Sequence, residues 1–315
     1  ISIIMEEGKE KMSTLKKTEN NLGQDEKVRS LWKQSVIQFK HNRLAVVGLV
    51  IIVLFIVTIL TTLAVDQITN YSFYNEYILK QDLSLRLAKP SLAHPFGCDE
   101  FGRDLLLRIL WGTKLSFAIG VVAIALSVIM GAPFGMIAAF YGGKTDNAIM
   151  RVMDVLLAVP YMLLAMAIVA ALGTSTFNLL LALAVSGIAK YARIARAAVL
   201  TVKDSEFVEA ARAVGASDGT ILFQYILPNA LAPILVQVSL GIGDSILAVA
   251  GLSYLGLGVQ PPQPEWGAIL TTARTYMRDA WHISVFPGLF LILAVIAFNL
   301  FGDGLRDALD PKLKR

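Results

Sequence analysis

The segment Leu115-SFAIGVVAIALSVIMGAPFGMIAA-Phe140 decides the class of fold. It contains no charged side chain. A helix needs about 20 apolar residues to cross the hydrocarbon core of a bilayer. It also satisfies its own backbone hydrogen bonds there, where water cannot do so. We therefore interpret this segment as a membrane-spanning helix.

Comparable apolar runs recur along the chain. Four approach or exceed the same length: Leu44–Val65, Val152–Leu172, Ala230–Leu252 and Ile283–Phe301. A shorter run, Leu179–Ala189, becomes long enough if it starts at Phe177 and if Lys190 extends its ammonium to the membrane surface. The chain is 56% hydrophobic and 17% charged over 315 residues, and soluble domains carry roughly 25% charged residues. These features predict an all-α integral membrane protein with six transmembrane helices, kinked at Pro133 and Pro160.

The distribution of basic residues predicts the orientation in the membrane. Residues 1–43 carry nine Lys or Arg, too many for a cleavable signal, and so predict a cytoplasmic tail before a retained first helix over 44–65. The residues ahead of Met5 allow an alternative start. With the tail inside, cytoplasmic segments hold 20 Lys and Arg against 8 outside, as the positive-inside rule requires. Both termini are then cytoplasmic, and the tail can contact anionic lipid.

The remaining chain divides into an external loop, 66–114, and a five-helix core, 115–315. Within the loop, Asp104-LLLRILWG-Thr113 has the pattern of an amphipathic helix lying at the interface, with Trp111 at headgroup depth. Closer to the C-terminus, Pro261, Pro262 and Pro264 stiffen another external segment. Trp266 follows them and is expected to be an interfacial anchor.

No pattern in the sequence indicates catalysis or a cofactor. Gly143-Lys144-Thr145 matches the end of a phosphate-binding loop, but Ala138 stands where its first glycine belongs and no strand precedes it. We expect a polar turn there. Cys98 has no disulfide partner, and His94 beside it leaves too few ligands for a metal. The chain is therefore not expected to be an enzyme, or to bind nucleic acid.

The cytoplasmic segment 190–228 is too long for a simple turn and is patterned. Spacing of i, i+3, i+4 and i+7 puts four residues on one apolar helical face: Phe207, Ala210, Ala211 and Val214. Asp204 or Ser205 is a candidate N-cap and Gly215 a candidate left-handed C′ residue. Either the resulting hairpin packs only on its own chain, or it docks on a partner. The small side chains of Ala210 and Ala211 favour docking, because they let another backbone approach.

Here the residues resemble a known family. The stretch Glu209-AARAVGASDGTILFQYIL-Pro228 is similar to the E-A-A loop of bacterial ABC-importer permeases. The matching positions are Glu209, Ala210, Ala211, Gly215, Leu227 and Pro228, whereas Tyr225 stands at the isoleucine position. Three further stretches resemble the dipeptide/oligopeptide branch, in particular its second permease: His94-PFGCDEFGRDLLLRILW-Gly112, Gly256-LGVQPPQPEW-Gly267 and Phe298-NLFGDGLRDALDPKLK-Arg315.

The resemblance implies type I ABC importer permease architecture with a cytoplasmic coupling helix. It also implies four kinds of partner: a second homologous permease, two cytoplasmic ATPases, an external binding protein and a peptide substrate. ATP would be used without being bound by this chain. Nickel chelates, glutathione and opines are alternative substrates. An ATPase-independent secondary transporter is the alternative class, but it should show inverted repeats and several paired charges at membrane depth.

Two acids occur within the predicted membrane segments. Asp244, with Ser245, lies deep in an apolar run and is a candidate for the transport pathway, or for a hydrogen bond between helices. Asp154 lies close to the cytoplasmic end of its run, three residues after Arg151, and is expected to be structural.

Overall fold

A computed structural model describes residues 31–309, and the side chains from residue 36 onward. Most of the predicted basic tail, and the last residues of the C-terminal motif, lie outside the described residues. The described helices of eight residues or more are α1 Leu31–His41, α2 Arg43–Ile68, α3 Leu105–Tyr141, α4 Gly143–Leu157, α5 Tyr161–Leu172, α6 Thr176–Leu200, α7 Glu206–Ala213, α8 Asp218–Tyr254, α9 Trp266–Tyr276 and α10 His282–Leu309.

Five of the described helices are long and apolar enough to cross a membrane: α2, α3, α6, α8 and α10. A sixth crossing is formed if α4 and α5 are one span, and these two helices meet at 80°. The break falls at Pro160, where a kink was predicted, because proline cannot continue the hydrogen-bond ladder of the preceding helix. Pro133, by contrast, lies within the continuous helix α3. The all-α membrane fold is confirmed.

The most extensive helix pair is α3 with α6. Gly131 and Gly135, one turn apart on α3, face the backbone of α6. A Cβ at Gly131 would collide with the carbonyl oxygen of Ile188, and one at Gly135 with that of Ala192. The glycines therefore set the distance between the two helices, in the way small residues do in membrane bundles.

The prediction of a separate interfacial helix before α3 is wrong. Asp104 caps α3 by accepting a hydrogen bond from the Leu107 amide at 2.9 Å, and the helix then runs unbroken to Tyr141. Trp111 is 5% exposed and its indole N–H donates to Asp66 Oδ1 at 2.8 Å. Lys114 pairs with the same carboxylate. Because Asp66 satisfies the indole N–H inside the protein, Trp111 does not need to lie among the lipid headgroups.

Trp266 is likewise not an interfacial anchor, since its side chain is fully buried. Its indole N–H donates to the carbonyl oxygen of Ile109 at 3.0 Å. The carboxylate of Glu265 accepts from the amides of Gly267 and Ala268, both at 2.9 Å, and so caps α9. Trp266 thus holds the start of α9 against α3, while α9 as a whole packs mainly on α8 and α10.

The loop ahead of α3 is held by buried charges. Arg103 donates to Asp99 at 2.7 Å, and Arg108 approaches the same carboxylate at 3.2 Å. Burial, and then nearby Asp99, raise the pKa of Glu100 above its usual value. Burial also raises the pKa of the Cys98 thiol to about 11. Within residues 31–309 no group of His, Cys, Asp and Glu is arranged to hold a metal ion.

Two helix boundaries differ from those predicted. Helix α6 continues to Leu200, so Lys190 lies within the helix, about 15 Å before its end at 1.5 Å per residue. The connection to α8 accordingly begins at Thr201. The polar turn expected at Gly143-Lys144-Thr145 is wrong, because these residues form the first turn of α4. The chain reverses at Gly142, and Gly142 and Gly143 have φ of 65° and 53°.

Candidate functional site

Helix α7 is defined by its ends. Ser205 occupies the N-cap in an extended conformation. At the C-terminal end, the Ala216 amide donates to the Ala211 carbonyl and the Gly215 amide to that of Arg212, both at 3.0 Å. This pair of bonds is a Schellman motif, which requires a left-handed C′ residue. Gly215 has φ of 82°, so the predicted conformation is confirmed.

The inner face of α7 packs on the chain itself. Val208 and Ala211 are buried in a cluster with residues of α3, α6 and α8: Met136, Ala139, Phe140, Ala198, Val199, Ile221, Leu222, Ile226 and Ala230. Ala211 therefore contacts its own chain, and its assignment to a partner-facing patch with Ala210 needs correction. The spacing was right for a helix, but it could not tell which of two adjacent stripes faces inward.

The outer face of α7 carries a second apolar stripe, Phe207, Ala210 and Val214, which we call the outer stripe. Phe207 is 43% exposed and Val214 84% exposed, and Ala210 is also exposed. Glu206 and Glu209 flank the stripe as exposed acids. No residue of the described chain covers this surface, which makes it available to another protein.

Polar contacts also join α7, and the segment just before it, to the transmembrane helices. The Arg212 guanidinium lies 5.7 Å from the centre of the Phe140 ring at the end of α3. Lys203 Nζ donates to the Ala139 carbonyl oxygen at 3.1 Å. These two contacts join α7 and the segment just before it to the C-terminal end of α3.

Leu227 and Pro228 close the hairpin where it joins the long part of α8. Leu227 is partly buried against the same cluster, whereas Pro228 is exposed. A wide π-helical turn, Ile221–Ile226, precedes them. Such a turn makes room for the proline ring, which cannot donate a backbone hydrogen bond. Asn229 Nδ2 donates to the Tyr225 carbonyl oxygen at 2.7 Å and satisfies an acceptor there.

Gly215 gives the first test of this site. A Cβ there would meet nothing within 4 Å, so a substitution acts through backbone strain alone, about 1–2 kcal/mol. We expect Gly215→Val to increase protease sensitivity at the end of α7 and to lower uptake, whereas Gly215→Asn, which tolerates left-handed φ, should remain close to native. Equal behaviour of the two variants would contradict this account.

The two candidate pathway residues are separated by the structure. Asp244 is open, with 66% of its side chain exposed, and its Oδ2 lies 3.5 Å from Lys190 Nζ on α6. Ser245 is 1% exposed, so its hydroxyl faces the interior of this chain. Asp244 alone is therefore presented to a surface at membrane depth.

Sequence reasoning missed a set of ion pairs along α6. Lys190, Arg193 and Arg196 each meet an acid from another helix: Asp244 of α8, Asp154 of α4 and Asp146 of α4. The Asp154 partner is Arg193, not the nearby Arg151. The i, i+3 spacing of the three bases was the available signal, since it places them on one side of a helix.

Comparison with known proteins agrees with this architecture. The inner membrane component of binding-protein-dependent transport systems matches residues 131–315, and the N-terminal transmembrane domain of oligopeptide transport permease C matches residues 30–90. A dipeptide transport system permease of Alkalihalophilus pseudofirmus is 44% identical, covering 90% of this chain and 91% of its own. A glutathione transport system permease of Pectobacterium atrosepticum is 42% identical, covering 92% and 94%.

Among solved structures, the MetNI methionine ABC transporter in an inward-facing conformation superposes with a TM-score of 0.55 at 18% identity. The match covers 65% of this chain and 98% of that one, and it supports the type I importer fold. Together, the matched family, the extent of identity and the shared fold show that the chain belongs to the inner-membrane permease components of binding-protein-dependent ABC transport systems.

Proposed function

We propose that this chain is a translocating subunit of an ATP-driven importer of dipeptides or oligopeptides in a bacterial cytoplasmic membrane. It would act with a second homologous permease, two cytoplasmic ATPases and an external binding protein. The outer stripe of α7 is the observation that carries the proposal. An exposed apolar stripe flanked by acids, on a short helix whose other face joins the bundle, suits docking into a groove of a separate protein.

The mechanism follows from the packing of α7 on the transmembrane helices. ATP binding closes the ATPase pair and moves the docked α7, and its buried face carries that motion to α3, α6 and α8. The ATPase pair binds ATP in its closed arrangement, and through the docked α7 this differential binding favours one arrangement of the permease pair, which biases alternating access. Hydrolysis occurs on the partner, so this chain needs to position α7 but supplies no reacting group.

The substrate class rests on the relatives named above, one for dipeptides and one for glutathione. The deciding experiment is ATP-dependent uptake of labelled dialanine into proteoliposomes containing the full transporter and its binding protein, with unlabelled glutathione as competitor. We expect dialanine uptake that glutathione inhibits weakly. Uptake of glutathione without dialanine would replace the peptide assignment, and uptake without ATPase subunits would overturn the ABC mechanism.

Orientation gives a second test. The excess of basic residues in the segments around α7 predicts that Gly219 is cytoplasmic and Gln263 external. Cys98 should not react with thiol reagents, because it is buried and its raised pKa keeps the thiol neutral. In intact cells, an impermeant maleimide should label Gln263→Cys but not Gly219→Cys or the native chain. Labelling of Gly219→Cys alone would invert the topology.

A further inference from the structure

The charge pair between α6 and α8 differs from the other two pairs on α6. Arg193 meets Asp154 at 2.7 Å, and Arg196 donates two bonds of 2.6 Å to Asp146. These are close, directional contacts of a guanidinium fork. Lys190 and Asp244 are 3.5 Å apart, and no hydrogen bond joins them in the described structure.

Depth makes this pair unusual. Lys190 lies about 21 Å from the start of α6 and about 15 Å from its end, and Asp244 about 15 Å before the end of α8, at 1.5 Å per residue. Each position is therefore about 15 Å inside one end of a membrane-crossing helix, which is half the thickness of a hydrocarbon core of roughly 30 Å. The side chains are nonetheless open, 46% exposed for Lys190 and 66% for Asp244.

Two open charges at this depth are not expected to face lipid. Ionisable residues within membrane helices face a water-filled cavity or another protein, because hydrocarbon cannot solvate them. In an importer built from two permeases, the face of α6 and α8 that carries the pair would then border the central pathway. This step rests on the proposed function.

From this geometry we propose that Lys190 and Asp244 form a transit site for zwitterionic peptides, with Lys190 receiving the terminal carboxylate and Asp244 the terminal ammonium. A long, solvated pair is weakly held, so it can exchange its partner for substrate charges. The termini of an extended dipeptide are about 7 Å apart at roughly 3.5 Å per residue. The flexible four-carbon stem of lysine allows the two charges to separate to that span.

The test varies one residue of the permease and one terminal group of the substrate, and compares uptake across the four combinations. Proteoliposomes with the complete transporter and saturating binding protein are given dialanine or alanylalaninamide, which lacks the terminal carboxylate. Lys190→Met should lower dialanine uptake about tenfold relative to the native transporter. It should leave amide uptake unchanged. The preference of the binding protein for one substrate cancels in the ratio of variant to native uptake, because the same binding protein serves both permeases.

The ammonium end is tested in the same way with N-acetyldialanine and Asp244→Asn. Arg193→Met is the control, since a structural tie should affect dialanine and its amide by the same factor. The transit site is overturned if Lys190→Met lowers both substrates equally or leaves dialanine uptake native. Failure of the native transporter to import dialanine with ATP would instead overturn the proposed function.

Discussion

Val214→Asp should lower ATP-dependent uptake by at least about tenfold, while the permease still inserts and folds. Val214 is 84% exposed, against 43% for Phe207, so a charge there does not disturb the interior of this chain. Docking would bury that carboxylate against an apolar groove without a partner, which is strongly unfavourable. Uptake by reconstituted transporter and co-purification of the ATPases should fall together.

Ala213→Asp is the matched control for that variant. It adds the same charge to the same last turn of α7, with the same unfavourable placement near the helix C-terminus. Ala213 is exposed but lies about 100° around the helix from Val214, outside the outer stripe. We expect substantially more uptake than with Val214→Asp. If the two variants lost uptake equally, the stripe would not be the contact.

Gly135→Leu should remove most of the folded protein, lowering the yield of monodisperse permease on the order of tenfold. The new side chain would collide with the Ala192 carbonyl on α6, and a backbone in a close-packed helix pair cannot move aside as a side chain can. Overpacking typically costs about 1–3 kcal/mol, and more where relief is blocked. Fluorescence-detected size-exclusion chromatography of detergent extracts measures this directly.

Gly288→Leu provides the comparison for Gly135→Leu. Gly288 also lies inside a membrane helix, α10, but a Cβ there meets nothing within 4 Å. Its yield should be close to native, although the helix propensity and the added volume change identically. A low yield for Gly288→Leu, or a normal one for Gly135→Leu, would show that the α3–α6 approach does not limit folding.

Much of the fold could be predicted because bilayer physics leaves few options. Five spans, the break at Pro160 and the left-handed Gly215 each follow from a single local constraint: apolar length, a missing amide or a turn geometry. These constraints act within a few residues of sequence. The family assignment likewise followed from local motifs, namely the E-A-A loop around α7 and three further stretches of the chain.

What could not be predicted depends on tertiary partners. Trp111 and Trp266 looked like interfacial residues, but Asp66 and the Ile109 carbonyl satisfy their indole groups inside the protein. Likewise, Ala210 and Ala211 are adjacent in sequence, yet only packing on α3, α6 and α8 decides that Ala211 faces inward. The extension of α6 beyond Lys190 was hidden because its apolar run is interrupted by bases that find acids on other helices.

Site-directed photocrosslinking at Val214 tests the central claim most directly, namely that α7 docks on a separate ATPase. A benzophenone amino acid at position 214, in transporter that retains measurable uptake, should yield an adduct between this chain and the ATPase on irradiation. The same probe at Gln263, on the predicted external side, should yield none. An ATPase adduct from both positions or from neither, in active transporter, would contradict the account.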